Sequence, residues 1–244
     1  MKRILTAICA LAAVVCSMAQ TDRSSAYETM QVRADRMFHY REWGSAVGFY
    51  TLMLEQRPSE VATYGHAIVA SGMLADTLRQ RSLTDQALQA RVAIDSLFTS
   101  VERISFSLGQ TSLYEDYLLH LRTAEPWLAR NIDGYLLRYY CYRRDPQGMI
   151  VFSKLMLGPA PNHEPFLYSL AQGYLLDGQT QNAVDTYLKI TQLNPQAYDA
   201  LLYLANYYAD QRQPDQALVY FRQAQQIQPT PFVAAAIKRM SNEQ

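Results

Sequence analysis

The sequence predicts an all-α solenoid of stacked antiparallel helix hairpins, on three observations. Residues 164–229 carry one pattern twice. Its first copy is Leu167, Leu170-Ala171, Tyr174, Gly178, Ala183, Tyr187, Ile190 and Pro195. Its second, 34 residues on, is Leu201, Leu204-Ala205, Tyr208, Arg212, Ala217, Phe221, Ala224 and Pro229. Self-similarity at such a period is the mark of a repeat array. Within each copy the apolar stations fall at i, i+3, i+4 and i+7, which is one face of an α-helix. No run of alternating β-branched residues supports a sheet anywhere in the chain.

Each station has a physical role. Leu167, Leu170, Ala171 and Tyr174 make the apolar face of a first helix. Gly178 follows where the chain leaves that helix and needs a left-handed residue. Ala183, Tyr187 and Ile190 repeat the spacing on a second helix, and the small Ala183 lets the two helices approach closely. Asn194-Pro195 ends the pair, because proline cannot continue a helix and disfavours helical geometry in the residue before it. Neither helix can bury its face alone; stacking the next hairpin completes the core.

This order of large residue, Leu with Gly or Ala, Tyr, Ala, aromatic and Pro resembles the tetratricopeptide repeat. The resemblance is clearest at 164–197 and 198–231. It is legible at 27–60, where Ala34, Met37, Ala46, Tyr50, Met53 and Pro58 hold the matching stations. Residues 61–161 diverge: Tyr64 and Ala67 persist in the first part. Tyr135, Leu136, Tyr139, Gly148, Phe152 and Leu155 return later with one residue of slippage. The resemblance implies a right-handed α-solenoid that binds a protein or peptide, with no catalysis and no cofactor.

Taken in order, the chain opens with a leader. Lys2-Arg3, the apolar run Ile4 to Val15, and Ser17-Met18-Ala19 read as a bacterial secretory signal over residues 1–19, too short to span a membrane. Cleavage after Ala19 is the better reading. Lipidation of Cys16 is the rival, although Val14-Val15 fits it poorly. The expected location is therefore the periplasm, or the outer membrane if Cys16 is lipidated. Residues 20–244 form one repeat domain. Its first hairpin is expected at 24–41 and 45–57, split by Trp43-Gly44. A helix capped by Ser59 should run to about residue 80, and a long one should occupy 84–105. Ser112-Leu-Tyr-Glu115 reads as a capping box. Pro126 marks a helix start or a kink. Helices then follow at 131–144 and 147–157, and the Gly158–Asn162 stretch is the clearest break. A last helix, 232–241, caps the array.

Composition narrows the function. Without Lys2 and Arg3 the chain holds 20 basic against 22 acidic residues, which argues against nucleic acid. Cys141 is the one cysteine outside the leader, so no internal disulfide can form, and it reads as a small buried hydrophobe. His39, His66, His120 and His163 lack ligand spacing, so no metal site is expected. The pair Glu115-Asp116 reads as helix-dipole compensation. No phosphate loop, nucleophile elbow or Cys–His pairing is visible, and the chain reads as non-enzymatic. The tyrosines at 135, 139, 140 and 142 read as packing in preference to a sugar platform. The 11 glutamines of 179–228 and the arginines at 122, 130, 138, 143 and 144 read as solvated faces.

The resemblance also says where a partner would lie. The first helix of each hairpin lines a concave groove, which here means Tyr168, Gln172 and Leu175, then Leu202, Asn206 and Ala209. Family members that clamp a C-terminal carboxylate need a lysine where Tyr168 and Leu202 stand, so that mode is not expected. A mixed apolar and amide groove suits an extended peptide or a helix. A structural subunit of a secretion or envelope-assembly complex, and an accessory to polysaccharide uptake or cell-wall synthesis, are the alternatives.

Overall fold

A computed structural model describes residues 25–242; the expected leader, with Cys16 and the expected cleavage site, lies outside them. All regular structure among the described residues is helical. The helices are α1 (25–39), α2 (Trp43–Gln56), α3 (Val61–Met73), α4 (Thr77–Gln89), α5 (Ile94–Ser107) and α6 (Thr111–Ala124). A 3-10 turn at Pro126–Leu128 leads into α7 (Ala129–Arg143) and α8 (Pro146–Leu157). The rest are α9 (Glu164–Leu176), α10 (Thr180–Leu193), α11 (Tyr198–Asp210), α12 (Pro214–Ile227) and α13 (Pro231–Asn242). The chain gathers into two compact units that meet in sequence at Glu125 and Pro126. None of the described helices is long and apolar enough to cross a membrane.

In the second unit each helix from α7 to α13 packs on the next in sequence, the connectivity of a repeat array. The sequence stations fill its core. Leu167, Ala171, Tyr187, Ile190 and Leu204 share one cluster. Ala205, Ala217 and Phe221 form the next with Val233, Ala236 and Met240 of α13. The first unit is built around α3, which touches α2, α4, α5 and α6. Thr63, Tyr64, Gly65, Ala67, Ile68, Val69, Ala70 and Ser71 are all buried, so most of this helix is covered, and Ala62 and His66 are left on its open side. Gly65 permits the α3–α5 contact, since a Cβ there would stand 3.0 Å from the Ser100 Cβ and closer still to its hydroxyl.

The backbone keeps the period where the side chains lose it. Positive φ recurs at Arg41, Ala75, Gly109, Arg144, Gly178 and Arg212, always in the turn after α1, α3, α5, α7, α9 or α11. Each such residue lets the chain reverse into the second helix of a hairpin. Four of the six are not glycine, and this corrects several expected boundaries. Trp43-Gly44 do not separate the first two helices; they begin α2, and the break lies at 40–42 around Arg41. The helix expected to reach residue 80 ends at Met73, with Ala75 in the turn. The long helix expected at 84–105 is two, because Arg91 at φ 61° breaks it. There the Val92 N–H donates to the Ala87 carbonyl at 2.9 Å and the Arg91 N–H to Leu88 at 3.0 Å, closing a Schellman turn without glycine.

Two expected caps also move. Glu60, not Ser59, precedes α3, and α6 starts at Thr111 after Gln110, which puts Ser112 inside the helix. The side-chain caps that form are Asp76, which accepts the Arg79 N–H at 2.9 Å, Asp145, which accepts the Gly148 N–H at 2.8 Å, and Thr230, which accepts the Val233 N–H at 3.3 Å.

The divergent hairpin α3/α4 replaces the repeat's apolar stations by a polar network. Gln80 Nε2 donates to the Ile68 carbonyl at 3.2 Å. The Thr84 hydroxyl donates to the Gln80 carbonyl at 2.8 Å, so the Tyr117 hydroxyl, 2.9 Å away, must be the donor in its bond to Thr84. In α8, Leu155 is exposed although the pattern makes it a packing residue, while Met149 and Ile150 are buried in its stead. Tyr139 is buried and Tyr140 stacks on Phe152 at 5.3 Å, which commits both to packing.

Candidate binding site

The predicted groove residues of the second unit sit at the edge of its core. Tyr168 and Leu175 of α9 are half-buried against the Leu167–Leu204 cluster, and Gln172 is exposed. Leu202 and Ala209 of α11 lie half-buried against the Phe221 cluster, and Asn206 is half-buried. Tyr168 bridges helices: its ring lies 6.1 Å from that of Tyr187. Burial, then the charges of Glu164 and Asp199, push its phenol up, while the Ala200 backbone partly offsets them. The Tyr187 ring stacks on Tyr203 at 4.2 Å. The structure thus divides four of the six residues between two clusters, leaves Asn206 half-buried in neither, and exposes only Gln172.

These packed phenols carry a consequence for alkaline stability. Burial, then the neighbouring Tyr203, Tyr168 and Asp199, push Tyr187 from 10.0 up to about 12. The folded state holds this proton more tightly than the unfolded chain. The contribution is therefore fully present below pH 10.0 and is lost as pH rises from 10.0 to about 12. The urea midpoint of the wild type should fall across that interval, and Tyr187→Phe should fall less steeply. Parallel curves for the two proteins would assign the loss elsewhere.

The first unit holds a larger feature. A cleft of about 570 Å³ opens between α1, α3 and the end of α5, with α2 beneath it. Gln31, Asp35, Phe38 and His39 of α1 form one wall and Ala62, Thr63 and His66 of α3 the other. Tyr50 and Met53, both buried, make the floor, Ser107 and Leu108 close one side, and Arg41 stands in the exposed turn. The Tyr50 hydroxyl donates to Asp35 Oδ1 at 3.0 Å. Burial first, and then the Asp35 charge and this bond, drive the Tyr50 phenol strongly upward, so it stays a donor. The His66 Nδ1–H donates to the Ala62 carbonyl at 2.8 Å, so Nε2 is the acceptor whenever the ring is uncharged.

The groove reading of the sequence missed this cleft, but the signal was available. Gln31, Asp35 and Phe38 stand three before, one after and four after Ala34, as Tyr168, Gln172 and Leu175 do around Ala171. The groove register carried back to the first hairpin lands on the cleft wall. His66 and Leu108 had no such signal, since they come from the divergent hairpins. Among the described residues no group of three or more His, Cys, Asp or Glu could hold a metal ion.

Residues 198–231 match the family model of the tetratricopeptide repeat. Among solved structures, the chain is similar to the Naa15/Naa10 complex bound to HypK-THB. The identity is 14%, the TM-score 0.52, and the match covers 89% of this chain and 34% of that one. It is also similar to the C-terminal part of a TPR repeat-containing protein of Cytophaga hutchinsonii, at 17% identity and TM-score 0.48, over 86% of this chain and 82% of that one. Pseudomonas aeruginosa pilF follows at 14% and 0.44, over 91% and 99%. Among curated proteins no sequence matches. At these identities the first likeness is one of fold: an all-α array of helix hairpins.

Proposed function

From a chain that carries a tetratricopeptide repeat within an all-α hairpin array, we propose a non-catalytic scaffold that holds a protein or peptide partner on its first-helix faces. The repeat is a protein-interaction scaffold as a class, and solved relatives include a TPR protein with an unusual peptide-binding site. The observation that carries the reading is the cleft of about 570 Å³ between α1, α3 and α5, a volume in the range of ligand sites. It is bounded by the groove register of the first hairpin. In the second unit Gln172 and Asn206 offer amide groups on the corresponding stations.

The leader pattern of residues 1–19 supports a location for this scaffold in the bacterial envelope. A cross-linked pull-down from the envelope fraction tests both parts, comparing wild type with Gln31→Arg and Gln172→Arg. Both positions are exposed, so the variants keep the fold. The wild type should recover a partner polypeptide that one variant loses at least about ten-fold. Equal recovery by all three proteins removes the groove assignment, and a chain confined to the cytoplasmic fraction removes export.

A further inference from the structure

Three rings meet in the first-unit cleft. The Phe38 and His66 centroids are 5.0 Å apart with planes at 78°, and Phe38 and Tyr50 are 6.2 Å apart at 69°. Tyr50 and His66 are 5.4 Å apart and only 33° from parallel. One ring therefore stands nearly upright against two that lie roughly together, which makes an aromatic corner. Beside it lies the exposed carboxylate of Asp35, fixed by the Tyr50 hydroxyl.

Within the chain the carboxylate accepts from Tyr50 and the Phe38 ring packs edge-on against Trp43 at 5.1 Å, but neither meets a cation among the described residues. Among the described residues no cationic partner stands at Asp35, whereas Arg79 pairs with Asp76 and Arg81 with Glu125. Basic groups of this chain do sit over rings elsewhere: Arg57 over Tyr27, Arg138 over Tyr135 and Lys154 over Tyr174. None sits over Phe38, Tyr50 or His66. A carboxylate next to aromatic faces is the arrangement that attracts ammonium and guanidinium groups, because ring quadrupole and anion act on the same cation.

The charged and titratable groups around the corner are Asp35, His39 and Arg41 from α1 and its turn, Tyr50 from α2 and His66 from α3. Arg41 belongs to the exposed left-handed turn, two residues past the end of the α1 helix that carries Asp35 and Phe38. The acceptors are the Asp35 carboxylate and, in the neutral ring, His66 Nε2. Both belong to the walls above the buried Tyr50, so the cleft sets acceptors beside its rings, and the one fixed cation among its lining residues is Arg41 of the exposed turn.

We propose that the first-unit cleft captures a lysine or arginine side chain of an extended partner polypeptide, with Asp35 as counter-ion and Phe38, Tyr50 and His66 as its aromatic wall. This rests on the scaffold reading above and reverses the charge sense of a carboxylate clamp.

The test uses the full chain and four labelled Gly-Ser hexapeptides carrying one central Arg, Lys, norleucine or Glu, with fluorescence anisotropy as readout. The Arg and Lys peptides should bind at least about ten-fold more tightly than the norleucine and Glu peptides. Asp35→Asn, at an exposed position, should bring all four within about two-fold, and Arg41→Gln should leave the basic preference intact. A Glu peptide that binds best, a basic preference that survives Asp35→Asn, or no binding up to about millimolar peptide overturns the proposal. The two readings separate cleanly. A pulled-down partner lost in Gln31→Arg with no basic preference among the peptides keeps the scaffold and removes this site. An Asp35-dependent Arg and Lys preference with a pull-down indifferent to Gln31→Arg and Gln172→Arg keeps the site and removes the scaffold reading.

Discussion

Phe221→Ala should cost about 3–5 kcal/mol of stability, the range for emptying a large aromatic site in a packed core. Phe221 is 1% exposed and lies among Ala205, Ala217, Leu218, Val233, Ala236 and Met240. Three of these neighbours are alanines, with no side chain long enough to swing into the space, so the cavity cannot collapse far. A domain holds only about 5–15 kcal/mol in total. The urea midpoint followed by circular dichroism should therefore drop sharply. Amides of α13, whose Val233 and Met240 share this cluster, should lose hydrogen-exchange protection. A loss below about 1 kcal/mol would show that Phe221 does not anchor the last hairpin.

Gly148→Val should cost about 3 kcal/mol, at the upper end for forcing new atoms into a filled site. A Cβ at Gly148 would fall among the Tyr140 ring atoms, with Cδ2 at 2.6 Å and others nearer. That ring cannot simply rotate away, because it is stacked on Phe152 with planes 15° apart. Gly148 also lies in the first turn of α8, held by its N–H bond to Asp145, so the helix start cannot slide to relieve the clash. The double variant Tyr140→Ala/Gly148→Val opens the space the valine needs. It should be less destabilised than the sum of the two single changes, by at least about 1 kcal/mol in a double-mutant cycle. Additive behaviour would mean that the ring and the glycine do not meet.

The same residue illustrates where the sequence pattern misleads. The pattern reads Gly148 as the station at which the clear repeats carry a small alanine, yet Met149 holds that position in the helix, and Gly148 is small for the sake of the Tyr140 ring packed against it. Buried Met149 takes part in the core, and exposed Leu155 does not. In the α3/α4 hairpin the apolar stations become Gln80 and Thr84, which no hydrophobic pattern could flag as buried. Their polar atoms are tolerated because each finds a partner: Gln80 on the Ile68 carbonyl, Thr84 with Gln80 and Tyr117. The candidate cleft shows the complementary case. Asp35 and Phe38 were readable by carrying the groove register back to Ala34, whereas His66 entered the site only through the crossing of α3 over α2.

What the sequence by itself determined is the helical class, the hairpin period and the core of 164–240, because these follow from local spacing of apolar residues and from Gly and Pro at helix ends. It left the hairpin turns of the first half to the tertiary structure. Arg41, Ala75 and Arg91 adopt left-handed backbone that costs roughly 1–2 kcal/mol for a side chain with a Cβ. Nothing in their own chemistry asks for it. Packing supplies the reason: α3 packs against α2, α4, α5 and α6 and leaves only its Ala62 and His66 side open. Tight reversals after α1, α3 and α4 let those helices reach it. Tertiary structure likewise decided the site, since a carboxylate, a phenol and two other rings from three helices became neighbours only once α1, α2 and α3 had packed.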